Sequence, residues 1–283
     1  MQKKKAEYPC LSDTQKAEGT KRTNTKRTNT KRINTKKKHT AIQKISVLIT
    51  RAAEILYPPR CILCDEILRD AQEGCCVKCR PHLPYIKGAR CQKCGKPVEE
   101  EAEYCEDCGR YRHVFDCGIA VFTYTGQIRQ SVYRMKAANR RDYLAFYTQE
   151  MAGLLKPYLK RWMPEVIIPV PMHPKKKRAR GYNQAELLAR GISALCGIPV
   201  DADTLYCTKK TRSQKHLDLR GRMKNLRGAF ALKEDVYGAE RVLIVDDIYT
   251  TGSTVDEAAR VLMAAGVRHV FFIVLCTGKG KRQ

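Results

Sequence analysis

Apolar positions along the chain follow two rhythms, and their alternation predicts the architecture. Residues 242–245 form an uninterrupted apolar run, and residues 166–170 (VIIPV) form another. Runs this short, bounded by acids or prolines, suit strands buried on both faces of a parallel sheet. Residues 114–124 alternate as a strand does and stop at Thr125 and Gly126. Elsewhere the spacing is helical. Residues 127–138 predict one helix, residues 142 to about 159 a second, and Asn183 caps a third that runs through Leu195. Residues 255–265 predict a fourth, with an apolar stripe at Val255, Ala258, Ala259 and Leu262 and a stop at Gly266. Strands separated by helices imply βαβ units and a parallel sheet, an α/β domain occupying residues 111–283.

The first forty residues follow neither rhythm. KRTNT, KRTNT and KRINT repeat between Lys21 and Thr35 without an apolar period, so no core forms there and the segment reads as a disordered, basic, low-complexity extension. In residues 41–56, Ile42, Ile45, Leu48, Ile49, Ala52, Ala53 and Leu56 recur at helical spacing, which predicts a short amphipathic helix.

At 283 residues the chain has room for one ordinary domain and one small one. No run of about 18 uncharged apolar residues occurs, so no membrane insertion is expected. The start lacks the apolar core of a secretory signal, and a cytoplasmic location is expected. The formal net charge is +25. Residues 1–40 hold 13 Lys and Arg against 3 Asp and Glu, so +15 belongs to the remainder. Excess this lopsided points to polyanion partners, either nucleic acid or phosphorylated substrates.

The 14 cysteines change the picture of residues 57–110. Cys61-x-x-Cys64 is followed after eleven residues by Cys76-x-x-Cys79, and Cys91-x-x-Cys94 after ten by Cys105-x-x-Cys108. Four CxxC knuckles supply eight thiolates, enough for two tetrahedral zinc sites, in sequential or cross-braced pairing. Cys75 is adjacent to the second knuckle, but only Cys76 has the x-x spacing. A segment this short and polar buries little by itself, so zinc would supply its folding free energy, and four thiolates per ion leave no open catalytic position.

The string VLIVDDIYTTGST, residues 242–254, carries the most specific chemistry. A buried strand delivers Asp246 and Asp247 to its C-terminal end, where open α/β sheets bind ligands. Two adjacent carboxylates accept hydrogen bonds from neighbouring sugar hydroxyls or hold a divalent metal. Thr250, Thr251, Gly252, Ser253 and Thr254 then form a small hydroxyl-rich turn at a helix start, where backbone N–H groups favour a phosphate monoester. Two basic stretches accompany it. Lys175, Lys176, Lys177, Arg178 and Arg180 follow the end of the strand at residues 166–170 as a basic loop, with Tyr182 beside them, able to face a pyrophosphate or a nucleic-acid backbone. Lys209, Lys210, Arg212, Gln214 and Arg220 lie in a polar segment ahead of the acid-bearing strand.

The thirteen-residue string resembles the PRPP-binding motif of type I phosphoribosyltransferases. That resemblance implies that Asp246 and Asp247 face the ribose hydroxyls, that residues 250–254 wrap the 5′-phosphate, and that the segment from Lys209 is a mobile loop contacting phosphate. The full layout, two zinc knuckle pairs followed by PVPMHPKKKRARGYNQAELLA, TRSQKHLDLRGRMKNLRGAF and VLIVDDIYTTGST, resembles the ComF family of bacterial natural competence over residues 57–276. That resemblance implies a type I phosphoribosyltransferase-like parallel sheet domain preceded by a Cys-rich double zinc ribbon. It also implies about two structural zinc ions, Mg²⁺ used together with PRPP or a ribose 5-phosphate ligand, and a role in uptake or handling of single-stranded DNA. Aromatics such as Tyr182 would then stack bases. Transfer from PRPP is one activity this implies, with an acceptor the residues do not name. The alternative is a non-catalytic DNA-binding or adaptor protein whose ribbons dock other competence proteins.

Overall fold

The structure, a computed structural model, describes residues 58–70, 73–209, 226–234 and 237–278. The extension at 1–40, the helix expected at 41–56 and, of the second basic stretch, Lys210, Arg212, Gln214 and Arg220 lie outside the described residues.

The sheet has four parallel strands in the order β1-β6-β5-β2. They are β1 (Cys117–Thr123), β2 (Val166–Pro169), β5 (Arg241–Tyr249) and β6 (His269–Thr277). Their apolar runs are buried because both faces are covered: Val242 to Val245 are each 0 % exposed. On one face Leu243, Val245 and Ile273 pack into a core with Tyr147 and Leu155 of α3 (Tyr143–Trp162) and Leu188 and Ile192 of α5 (Gln184–Cys196). On the other, Val242, Ile244 and Phe272 meet Val255, Ala258 and Leu262 of α6 (Ser253–Ala264). The expected helices appear within a few residues of their predicted bounds. The first is α2 (Gly126–Ala137), and α3 runs on to Trp162, where Met163 in a left-handed conformation ends it. Strand β1 begins only at Cys117, because residues 114–116 turn to make cross-chain bonds: Val114 N donates to Asp256, and the Asp116 carboxylate accepts from Val270 N.

Two features depart from the sequence reading. The basic stretch after β2 is a short helix, α4 (Pro174–Arg180), and not a loop. Pro174 at its first turn suits helix initiation, the His173 ring accepts a bond from Lys175 N, and Gly181 at φ +86° stops it. A separate two-stranded antiparallel hairpin, β3 (Leu205–Cys207) with β4 (Phe230–Leu232), flanks the second basic stretch.

The cysteine block forms two similar units, with a one-turn helix α1 (Glu106–Arg110) in the second. In the first, Cys61 N bonds Glu66 O, Asp65 N bonds Cys61 O and Arg60 bridges Ile67. In the second, Cys91 N bonds Lys96 O, Gly95 N bonds Cys91 O and Arg90 bridges Pro97. Asp65 and Gly95 take equivalent left-handed turns, at φ +65° and +70°. The first unit docks on α2 and α3. Arg134 donates to the Ile62 and Leu63 carbonyls, and Asp65 accepts from Arg140 and from the Tyr143 hydroxyl at 2.6 Å each. The second lies on β1. Gly118 N donates to Lys93 O, Arg90 donates to Ala120 O, and Gly95 sits so close to the Gly118 carbonyl that a side chain there would reach within 2.6 Å of it.

Candidate functional site: a cleft at the C-terminal edge of the sheet

The register of the sheet opens the site. β2 pairs with β5 only as far as Pro169 opposite Val245, while β5 stays paired with β6 as far as Tyr249 opposite Thr277. From Asp246 onward β5 therefore has a neighbour on one side only, and the acid pair faces a cleft of about 1530 Å³. That volume exceeds the ~300–1,000 Å³ of an ordinary small-molecule pocket, so there is space for an extended ligand. One wall is α2, with Arg129, Tyr133 and Lys136; the other carries His173, Lys176 and Arg180 from around α4.

The two carboxylates are held differently. Asp247 pairs with Lys136 at 2.6 Å, with side chains 15 % and 24 % exposed respectively. Asp246 accepts a bond from Asp247 N at 2.8 Å. Burial, and then the adjacent charge of Asp247, push Asp246 up from its ordinary value of 3.8 to about 8. Burial tends to lower the Lys136 ammonium, but the Asp247 carboxylate outweighs it and holds Lys136 above its ordinary range.

Beyond the acids the chain turns sharply at Gly252, φ +82°, directly before α6. A Cβ at this position would lie 2.6 Å from Tyr249 Oη and 2.8 Å from His113 Cε1. Only glycine fits, both by conformation and by space. Thr250, Gly252, Ser253 and Thr254 line the cleft, and the Thr251 and Ser253 hydroxyls are 3.0 Å apart. The helical bond from Asp256 N to Gly252 O leaves the amides of residues 253–255 at the helix start for a ligand. Acid pair, hydroxyl-rich turn and helix N-terminus thus share one cavity with several cations.

The other sequence candidates fall out as follows. Lys176 and Arg180 reach the cleft, and Arg180 also donates to Gln184 Oε1 at 2.7 Å. Lys177 points elsewhere, to Glu186 at 2.9 Å, and Lys175 and Arg178 are exposed. Tyr182 does not meet the base-stacking expectation. It is only 4 % exposed, its hydroxyl donates to the Met135 carbonyl, and the Arg141 guanidinium covers its ring at 4.6 Å. Its aromatic ring serves the core. The aromatic that the cleft does expose is Tyr133, 63 % accessible. Lys209 is exposed and its ammonium bonds the Arg227 carbonyl; Cys207, two residues before it, lines the cleft. Sequence reasoning missed Lys136, Arg129 and Tyr133. Their only sequence signal is i, i+4 and i+7 spacing along one face of α2.

The eight knuckle cysteines gather into two sequential groups, Cys61, Cys64, Cys76, Cys79 and Cys91, Cys94, Cys105, Cys108, so the pairing is not cross-braced. Within each group the sulfurs lie within 4.8 Å of one another. Cys64 and Cys76 sulfurs are 3.9 Å apart, Cys94 and Cys105 3.6 Å. A tetrahedron with zinc–sulfur bonds of ~2.3 Å spaces its sulfurs ~3.8 Å apart. The residues therefore fit two zinc ions with a structural role. Cys75 stands outside the first group.

Comparison with known proteins agrees with this geometry. A double zinc ribbon domain model matches residues 52–109, and a phosphoribosyl transferase domain model matches residues 198–283. Fold and site together define a phosphoribosyltransferase-like domain carrying a double zinc ribbon. The chain is 31 % identical over 225 residues to Competence protein F of Haemophilus influenzae, covering 75 % of this chain and 93 % of that one. It is 30 % identical to the DNA utilization protein YhgH of Escherichia coli K12 (77 % and 97 % covered) and 27 % identical to Competence protein ComFC of Bacillus subtilis (73 % and 89 % covered). The chain belongs to the competence protein F (ComF) family.

Proposed function

We propose that the cleft binds PRPP or a related ribose 5-phosphate ligand, and that the protein acts in the cytoplasm in DNA uptake and the handling of single-stranded DNA. One observation carries the first part: β2 ends level with Val245, so that Asp246, Asp247 and the turn at residues 250–254 open into the same basic cavity. The turn and the free amides of α6 would hold the 5′-phosphate, and the carboxylates the ribose hydroxyls. Lys176, Arg180 and the cations of α2 would balance the charge of a pyrophosphate. Asp246 and Asp247 are the groups that would hold Mg²⁺, which when bound supplies charge neutralisation on the leaving pyrophosphate. For transfer, the bond from the anomeric carbon to pyrophosphate would break first, the Asp247 carboxylate would stabilise the positive charge developing on the sugar ring, and a nucleophilic nitrogen of the acceptor would then form the new bond to that carbon.

The role in DNA uptake rests on the names of the relatives, competence and DNA utilization proteins. The cleft supports it by its size and its exposed Tyr133 beside Arg129, an aromatic and a cation suited to an unstacked base and its phosphate. A non-catalytic variant of the proposal, in which the cleft holds the phosphate of a nucleotide or a DNA end, is favoured by the Lys136–Asp247 pair, which already occupies one of the two carboxylates.

Calorimetry of the zinc-loaded protein with PRPP and Mg²⁺ tests the reading. Binding is expected, and Asp247→Ala and Thr251→Ala should each weaken it about tenfold or more, since losing a charge-assisted or buried hydrogen bond costs ~1.5–3 kcal/mol. Unchanged affinity in both variants with the fold intact would defeat it. Pyrophosphate release separates transfer from binding alone.

A further inference from the structure

The phosphate loop has a floor that comes from a distant part of the chain. His113 lies in the segment joining the second ribbon to β1, and its Nδ1 is 2.5 Å from Asp256 Oδ2. The other oxygen of Asp256 accepts from Val114 N at 2.9 Å. The imidazole stacks on Phe115 at 4.9 Å, is 8 % exposed, and its Nε2 is buried without a hydrogen-bond partner. It also bounds the space over Gly252, where a Cβ would meet His113 Cε1 at 2.8 Å. One ring therefore touches both the turn at Gly252 and the carboxylate one helical turn beyond it.

Asp256 is an awkward neighbour for an anion. A carboxylate in the first turn stabilises a free helix, but at a phosphate-binding N-terminus it opposes the ligand charge. Its side chain is 13 % exposed, so water screens that repulsion poorly. At 2.5 Å the two groups are in close hydrogen-bond contact, the imidazole Nδ1–H donating to the carboxylate, which can only accept.

We infer that His113 is a positioning residue for the phosphate loop: it packs beneath Gly252 and offsets the Asp256 carboxylate, so that the start of α6 accepts a phosphate. The inference rests on the reading that this loop takes a phosphate. A double-mutant cycle on the full, zinc-loaded chain separates charge from packing. The probes are ribose 5-phosphate and inorganic phosphate, titrated by calorimetry. His113→Ala should weaken both about tenfold, and Asp256→Asn added to it should restore affinity to within about threefold, because the repelling charge is gone while the Asn oxygen still accepts from Val114 N. His113→Asn, which keeps an N–H near the Nδ1 position but loses the ring packed at Gly252, should fall between, and it replaces the alanine variant if that fails to fold. Wild-type affinity in the His113 variants overturns the inference. So does a double variant no better than the single one, since that marks a purely structural loss. Wild-type protein that binds neither phosphate overturns the reading of the loop itself, and the inference with it.

Discussion

At the scale of single residues, the acid pair has unequal members, and the inequality is measurable. Asp246, pushed up to about 8 from 3.8, holds its proton in the folded protein over a range where the unfolded chain has released it. Folded chains then bind more protons than unfolded ones between about pH 4 and pH 8, and stability falls as pH rises through that window. The melting temperature should therefore decline from pH 5 to pH 8, and Asp246→Asn should flatten the decline. An unchanged slope in that variant would show that the carboxylate is not held in its protonated form. The residue scale is also where the sequence was least legible. The pairs Lys136–Asp247 and His113–Asp256 join residues far apart in the chain, 143 positions in the second case, and no local pattern encodes such contacts. Tyr182 was misplaced for a related reason: a tyrosine amid basic residues looks solvent-facing until the helices that bury it are known.

At the scale of elements, the two ribbons dock on different partners, and their loss should have different effects. The first touches the helices α2 and α3 and shares the core on their face of the sheet, with Leu243 and Val245, while the second shares the core on the other face, which reaches the turn itself. Cys91, Cys94 and Cys105 pack in the same cluster as Tyr249 and Val255, and Lys96, paired with Asp107 at 2.5 Å, lies over the Tyr249 ring at 5.5 Å. Structural zinc contributes on the order of 10 kcal/mol to the folding of such a unit. Cys91→Ser and Cys61→Ser should each remove about one zinc per chain by metal analysis. Cys91→Ser should also lower affinity for ribose 5-phosphate, whereas Cys61→Ser should cost solubility and melting temperature more than affinity. Equal effects on affinity would contradict this division. Elements were the most legible scale. β5, its turn and α6 occupy consecutive residues, so period and turn chemistry specify them together, and CxxC spacing fixes the knuckles in the same local way. The seven-residue α4 escaped because a short helix of lysines and arginines has no apolar stripe, and its start depends on the ring of His173.

At the scale of the whole molecule, charge and fold act together. The described cleft is basic, and so is the segment at 1–40, which would bind nucleic acid on charge alone. The proposed interaction with single-stranded DNA should therefore be tested on protein beginning near Ala41. Replacing Lys175, Lys176 and Lys177 by Ala should weaken it with little regard to sequence and flatten log affinity against log salt. Each phosphate contact contributes ~0.7 to that slope. Lys177 is committed to Glu186, so a change of about 1.4 is expected, from two contacts and not three. A slope that does not move would place the DNA path elsewhere. The sheet order has a consequence of another kind. Among the described strands β1 pairs only with β6, which follows it by more than a hundred residues. The zinc knuckles can close within a short length of nascent chain, but the described sheet cannot assemble until β6 has emerged, with more than a hundred residues of helix and strand waiting on the pairing of β1 with β6. Truncation before His269 should therefore leave a fragment that keeps both cysteine groups but lacks the sheet edge on which the proposed ligand cleft is built.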